Sequence, residues 1–265
     1  MRRSLLRDLG ILLGIFALIW LLGSLIKVFP DRPVLLSVEK EQKMGARYRE
    51  LILLNPMFKE YENERVDSAI HIIGHRLEEG LGNTDYEYSY VVFDNEMINA
   101  FTLPGGNILI STGLIGFCET AEELAAVMAH EMGHVEMRHV VSRLIKELGI
   151  EIITSGDTYV LGEVTKILTS TSFDRKQEEE ADLFACELLE ASGIEPRVLA
   201  TFFRRIDEAH GSALLENFEI VSTHPNFSSR IREALSYDVS EEFEEIPLEL
   251  DWDEVGSELP GSNIS

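Results

Sequence analysis

Residues 130–134, HEMGH, constrain the fold of this chain more than any other stretch. They fall in a helix expected over residues 121–148, opened by a capping box of Thr120 and Glu123 and suited to end at Gly149. Positions i and i+4 of a helix share a face, so His130 and His134 can reach one zinc ion at about 2.0–2.1 Å. Glu131 stands beside the first histidine as a base for a water activated by the metal. A catalytic zinc needs three protein ligands and one open position. The chain must therefore fold a third ligand onto this helix.

The spacing alone is weak, because HExxH arises by chance in roughly one in a hundred chains of this size. A look-alike, HIIGH at residues 71–75, has the same spacing but places Ile72 where a base is required. It lies on an amphipathic helix expected over residues 60–79, with Val66, Ala69, Ile70, Ile73 and Leu77 on one face. His71 and His75 are read as partly buried polar residues of that packing, not as ligands. Downstream, the run Gln177 to Asp182 offers the third ligand on another expected helix, residues 176–192. Glu178 and Asp182 are i and i+4, so one could ligate zinc while the other supports a ligating histidine. Glu179 and Glu180 are rotated off that face and read as solvated.

Around these motifs the pattern is mixed. A helix is expected over residues 34–54, ended by Asn55-Pro56, and residues 86–93 and 107–111 read as strands. The second strand is entered through Pro104-Gly105-Gly106. Further helices are expected at residues 162–168, 196–210 and 229–235. Many helices beside a small, antiparallel sheet make an α+β fold.

Composition separates the ends from this core. The net charge of −24 excludes nucleic acid as a partner, since a binder needs a basic face for phosphates. From Asp238 onward there is no Lys or Arg, and residues 238–265 read as a mobile acidic tail. Arg2, Arg3 and Arg7, in a basic segment of residues 1–8, precede a nearly uncharged run over residues 9–26. That run spans roughly 27 Å as a helix, enough to cross a thin hydrocarbon core. It lacks a small-residue cleavage site, so it reads as an uncleaved transmembrane anchor with a cytoplasmic N-terminus. The folded domain, residues 33–237, is then expected beyond the membrane. Cys118 and Cys186 read as buried thiols, not a disulfide.

Four stretches in order carry a family resemblance: INAFTLPGGNILISTGLI (residues 98–115), ELAAVMAHEMGHVEMRH (123–139), EEEADLFACELL (178–189) and STHPNFSSRI (222–231). With them the chain resembles the membrane-associated gluzincin peptidases of the Oma, HtpX and BepA kind, related to the CAAX prenyl endopeptidases. The single anchor resembles the Oma/BepA side. Phe173 and Asp174 depart from a serine-arginine pair common in the family, and Thr102 replaces a common alanine.

The resemblance implies a predominantly helical, zincin-like metallopeptidase domain holding one Zn2+ per chain through His130, His134 and Glu178. It implies Glu131 as general base and Asp182 as the carboxylate that orients His130. Asn99, Gly105, Gly106 and Asn107 fall on the expected substrate-binding edge, where an extended protein or peptide substrate adds by backbone hydrogen bonds. His224 is placed over the open side of the metal, either stabilising the oxyanion or filling the fourth position and holding the site latent. His139 is expected to be structural or to support a ligand. The implied activity is a membrane-anchored zinc metalloendopeptidase acting on misfolded or unassembled membrane or envelope proteins. The rival is a chaperone-like or scaffold protein whose zinc site is closed by His224.

Overall fold

The computed structural model describes residues 36–155, 158–170, 172–210, 220 and 223–261. The anchor expected at residues 9–26 lies outside them. Among the described residues no helix is long and apolar enough to cross a membrane.

Helix α1 (Val38–Ile52) starts where the Ser37 side chain accepts from the Lys40 amide, and α2 (Glu64–Leu81) where Asn63 accepts from Arg65 and Val66. Strands β1 (Ser89–Phe93), β2 (Ala100–Leu103) and β3 (Asn107–Ser111) form one sheet in the order β1-β3-β2. The sheet is mixed, which corrects the antiparallel expectation. β2 pairs antiparallel with β3, while β1 and β3 run parallel, Ser89 facing Asn107 and Phe93 facing Ser111. The reason is the short strand Ala100–Leu103, which the sequence reading did not separate from its turn. It reverses the chain once more between the two expected strands, so they end up pointing the same way.

Alternation along the strands divides the core. Val92, Ala100, Ile108 and Ile110 face a cluster with α2 and the histidine-bearing helix. Val91, Phe93, Phe101, Leu103 and Leu109 face a second cluster with Tyr48 and Ile52 of α1. The β2–β3 turn needs glycine at Gly105 and Gly106, with φ of 76° and 85°. A Cβ on Gly105 would also sit 2.4 Å from Gln42 Cα of α1.

After α3 (Thr112–Phe117), the helix expected over residues 121–148 is two helices, α4 (Ala121–Glu136) and α5 (His139–Leu148). They meet at Arg138, whose backbone is left-handed at φ 56° and ψ 29°. Then follow α6 (Ile150–Ser155), α7 (Thr158–Ser170), α8 (Arg175–Ala191), α9 (Val198–His210) and α10 (Phe227–Leu235). A capping box of Asp174 and Gln177 starts α8. Helices α4 and α8 approach closely, since a Cβ on Gly133 would lie 3.1 Å from Ala181 Cα. Cys118 and Cys186 are buried free thiols, as expected.

Two further expectations are corrected. His71 and His75 are exposed and only the intervening Ile73 and Gly74 are buried, so HIIGH turns its imidazoles to solvent. The acidic C-terminal segment is docked, not mobile. Leu248, Val255 and Leu259 are buried, and α11 (Trp252–Ser257) closes the strap. The Trp252 indole donates to the Cys118 carbonyl at 2.8 Å, and the Ile246 amide to the Gly193 carbonyl at 2.8 Å. The missed signal is the two-residue alternation of Ile246, Leu248, Leu250 and Trp252, hidden among the acids.

Replacing Leu248 by Ala should therefore destabilise the full chain by about 2–3 kcal/mol in a urea titration. A mobile tail would keep the change within about 0.5 kcal/mol.

Candidate metal centre

Helix α4 buries almost every residue along its length, so its polar groups must find partners inside the protein. His130, Glu131 and His134 are 4%, 1% and 0% exposed. The first turns of α8 bring Glu178 and Asp182, and the loop before α10 brings His224, all buried.

One ligand atom from each of His130, His134, Glu178 and His224 lies within 4.8 Å of the other three. His130 Nε2 is 3.1 Å from His134 Nε2 and 3.2 Å from His224 Nδ1. Glu178 Oε1 is 2.9 Å from His224 Nδ1 and 3.6 Å from His134 Nε2. A tetrahedral ion with bonds of 2.0–2.1 Å separates its ligand atoms by about 3.3 Å, close to these values. Inward-facing imidazole nitrogens this near one another can share only one proton per contact, whereas one cation satisfies them together. The donor set of imidazoles and a carboxylate suits a transition-metal dication.

Burial pushes the His134 imidazole well below its ordinary range, which keeps it neutral and fit to ligate. For Glu178, burial acts upward but the charges of His224 and Arg230 outweigh it, holding the carboxyl well below the usual range. His224 is raised: burial acts downward and is overcome by Glu178 and Glu131. Glu131 Oε2 accepts from the Thr102 hydroxyl at 2.7 Å, and Oε1 has no hydrogen-bond partner. Thr102, a departure from the family pattern, thus holds one oxygen of Glu131, while the other lies 3.5 Å from His224 Nε2.

Asp182 Oδ1 lies 2.9 Å from His130 Nδ1, where the sequence expected an orienting carboxylate. The sequence reading missed Arg230. This fully buried guanidinium donates to both Asp182 oxygens at 2.7 Å, and its Nη1 lies 2.8 Å from Glu178 Oε2. It also donates to the His224 carbonyl at 3.3 Å and stacks 4.1 Å from the Phe203 ring centre. The signal was present in STHPNFSSRI: burying Glu131, Glu178 and Asp182 together demands a nearby cation.

The residues of the expected substrate edge are spread over the β2–β3 hairpin. Asn99 donates its amide to Ser111 Oγ at 3.1 Å. Gly105 donates to Glu41 Oε1 at 3.3 Å, Gly106 accepts from the Ser89 amide at 2.9 Å, and Asn107 donates to the Pro104 carbonyl at 3.0 Å. Within this hairpin, Thr102 hydrogen-bonds Glu131 beside the cluster.

A profile of Peptidase family M48 matches residues 64–238, which takes in α2, the sheet and every residue of the cluster. The chain belongs to peptidase family M48. Among M48-like relatives, the Beta-barrel assembly-enhancing protease of Escherichia coli K12 is 28% identical over 223 residues, covering 75% of this chain and 44% of that protein. Mitochondrial metalloendopeptidase OMA1 of Arabidopsis thaliana is 30% identical over 186 residues, 68% of this chain and 36% of the relative. Metalloprotease LoiP of Escherichia coli K12 is 31% identical over 167 residues, 57% of this chain and 64% of the relative. The matched part therefore spans less than half of the first two. The Oma/BepA-like resemblance read from the four motifs is borne out.

Within the M48 domain the Arg230–Asp182 pair should govern acid stability. Burial acts to raise the Asp182 carboxyl, but Arg230 overcomes it and holds the group below its usual value. A depressed carboxyl contributes stability above its unfolded value of about 3.9, which is lost as pH falls through the folded value. Arg230→Met removes the largest opposition to burial and leaves only that of His130. It should move the acid-unfolding midpoint to higher pH and cost about 3–5 kcal/mol at neutral pH. Far-UV circular dichroism with chelator present, against pH and against urea, checks both.

Proposed function

We propose that this chain is a membrane-anchored zinc metalloendopeptidase, cleaving peptide bonds in proteins of a membrane or envelope. The observation that carries the reading is the convergence of His130, His134 and Glu178 with Glu131 beside them. The apolar run at residues 9–26 supports the anchor, and the arginines before it support a cytoplasmic N-terminus with the domain on the far side. The names of the relatives support proteolysis, one being called an assembly-enhancing protease and another a metalloendopeptidase.

His130, His134 and Glu178 would hold zinc, which supplies a Lewis acid for the scissile carbonyl and lowers the pKa of water. The rest is the work of side chains. Glu131 takes the proton of the attacking water on Oε1, which makes no hydrogen bond and faces His224 Nε2 at 3.5 Å, and returns it to the leaving amine nitrogen, while Thr102 holds Oε2 still. Asp182 accepts from His130 Nδ1, so that Nε2 keeps its lone pair for the metal. Arg230 keeps Asp182 and Glu178 ionised.

One observation favours a closed resting form. His224 Nδ1 is in contact with both His130 Nε2 and Glu178 Oε1, where a fourth ligand belongs. Its segment is fastened to the substrate side of the sheet, the Ile220 amide donating to the Ile98 carbonyl just before β2 at 3.3 Å. His224 then acts as a latch on a competent peptidase. The chaperone-like or scaffold reading requires the latch never to open.

Casein hydrolysis by the full chain in detergent, alongside elemental analysis of bound metal, separates these readings. Glu131→Gln should keep one zinc per chain and lose about 10²–10⁴-fold in rate, and chelator should abolish the wild-type activity. Undiminished hydrolysis by the variant would sink the assignment. His224→Ala should raise the rate by opening the fourth position, whereas a lowered kcat would transfer His224 to oxyanion stabilisation. No cleavage by either wild type or His224→Ala would leave the scaffold reading standing.

A further inference from the structure

The two histidines of HEMGH are supported from behind by different partners. His130 turns Nδ1 to Asp182 at 2.9 Å. His134 turns its Nδ1 instead to another imidazole, His139 Nδ1, at 3.0 Å. His139 in turn places Nε2 3.2 Å from Glu180 Oε2. One set of tautomers satisfies this chain. With Nε2 of His134 facing the metal cluster, its Nδ1–H donates to His139 Nδ1, and His139 Nε2–H donates to the Glu180 carboxylate. The His139 side chain is 6% exposed, whereas that of Glu180 is 39% exposed and also meets Lys176 at 3.0 Å.

The backbone is bent to make the contact possible. A continuous helix would carry His139 away from His134, five residues earlier, instead of folding it back beneath the ring. The left-handed residue Arg138 breaks the helix between them. Non-glycine residues in this conformation are held by their surroundings. Here the Arg138 guanidinium donates to buried Glu41 Oε2 at 2.7 and 3.1 Å and to the Leu36 carbonyl at 2.6 Å. His139 is the first residue of α5 beyond this corner.

We propose that His139 is a positioning residue for the metal ligand His134, with Glu180 behind it and the Arg138 corner setting its place. It fixes the His134 tautomer and ring orientation and raises the basicity of Nε2, as Asp182 does for His130. This rests on the metal-centre reading above. It also assigns a role to Glu180, which the helical position alone had marked as merely solvated.

The zinc dissociation constant of the full chain, measured by competition with a chromophoric chelator, tests it without reference to catalysis. His139→Phe keeps an aromatic ring but no acceptor, and zinc binding should weaken by about 10–100-fold. His139→Asn returns an oxygen to the Nδ1 position and should recover most of the loss. Glu180→Ala, at a half-exposed position that folding does not need, should weaken binding by about 3–10-fold. Unchanged affinity in His139→Phe, or equal losses in the Phe and Asn variants, would overturn the proposal. Should His139→Phe fail to fold, unchanged affinity in Glu180→Ala overturns the relay on its own. A wild-type chain that binds no zinc fails the metal-centre reading itself, whereas zinc binding indifferent to His139 fails only this inference.

Discussion

Three carboxylates, Glu131, Glu178 and Asp182, are buried in the same few ångströms of core. Charges so placed are tolerated only when each is paired and hydrogen-bonded, and most of the local architecture serves that need. Arg230 binds two of the three, so α10 must pack against α8, and the loop that precedes α10 is drawn over the cluster. The guanidinium itself is sheltered by the rings of Phe203 and Phe227, which ties α9 to the same point. The remaining negative charge is what a dication bound by the imidazoles would meet. Metal affinity and domain stability are therefore coupled through one salt-bridged arginine.

How much of this was legible depended on whether the determining partner was near in sequence. The histidine spacing, Glu131 as base and Glu178 with Asp182 on one helical face are all short-range patterns, and the structure brings those residues together. Arg230 lies 48 residues beyond Asp182, and nothing in local periodicity distinguishes it from the exposed arginines of other helices. The break at Arg138 was unreadable for a related reason. No glycine or proline marks it, because the left-handed turn is enforced by a contact to Glu41, 97 residues away. Propensity favours continuing the helix there, and tertiary contact overrules it.

The sheet and the C-terminal strap illustrate a different limit. Strand β2 is four residues long and runs straight into its turn, too short for alternation to announce itself. Its existence decides the parallel pairing of β1 with β3 and places Thr102 against Glu131. In the strap, composition overrode pattern: the acidic residues dominate, yet apolar residues repeat every second position between them, and Leu248, Leu250 and Trp252 reach the main core. The exposure of His71 and His75 follows the same lesson in reverse. Ile70, Ile73 and Leu77 already fill the buried face of α2, leaving no room on it for imidazoles.

Opening the proposed latch would give up one bond of the charge cluster, His224 Nδ1 to Glu178 Oε1 at 2.9 Å, and leave the Arg230 pairs in place. Arg230 is held by two short bonds to Asp182, and its contact with the His224 carbonyl, at 3.3 Å, is the longest of its backbone and carboxylate contacts. Moving Ile220, Thr223 and His224 away from the sheet would also give up that contact, the Ile220–Ile98 hydrogen bond and the Phe173 amide bond to the Thr223 carbonyl at 3.2 Å. All three are long for backbone hydrogen bonds, whereas those fixing Asp182, Glu178 and Arg230 are short and charge-assisted. Apart from the His224–Glu178 contact, the strong bonds thus lie on the side that would stay rigid around a bound metal. The weak ones lie on the side that would move if an extended substrate paired along β2 as proposed. A substrate strand entering there would replace the Ile220 amide at Ile98 with its own, so substrate binding and closure by His224 would compete for the same edge.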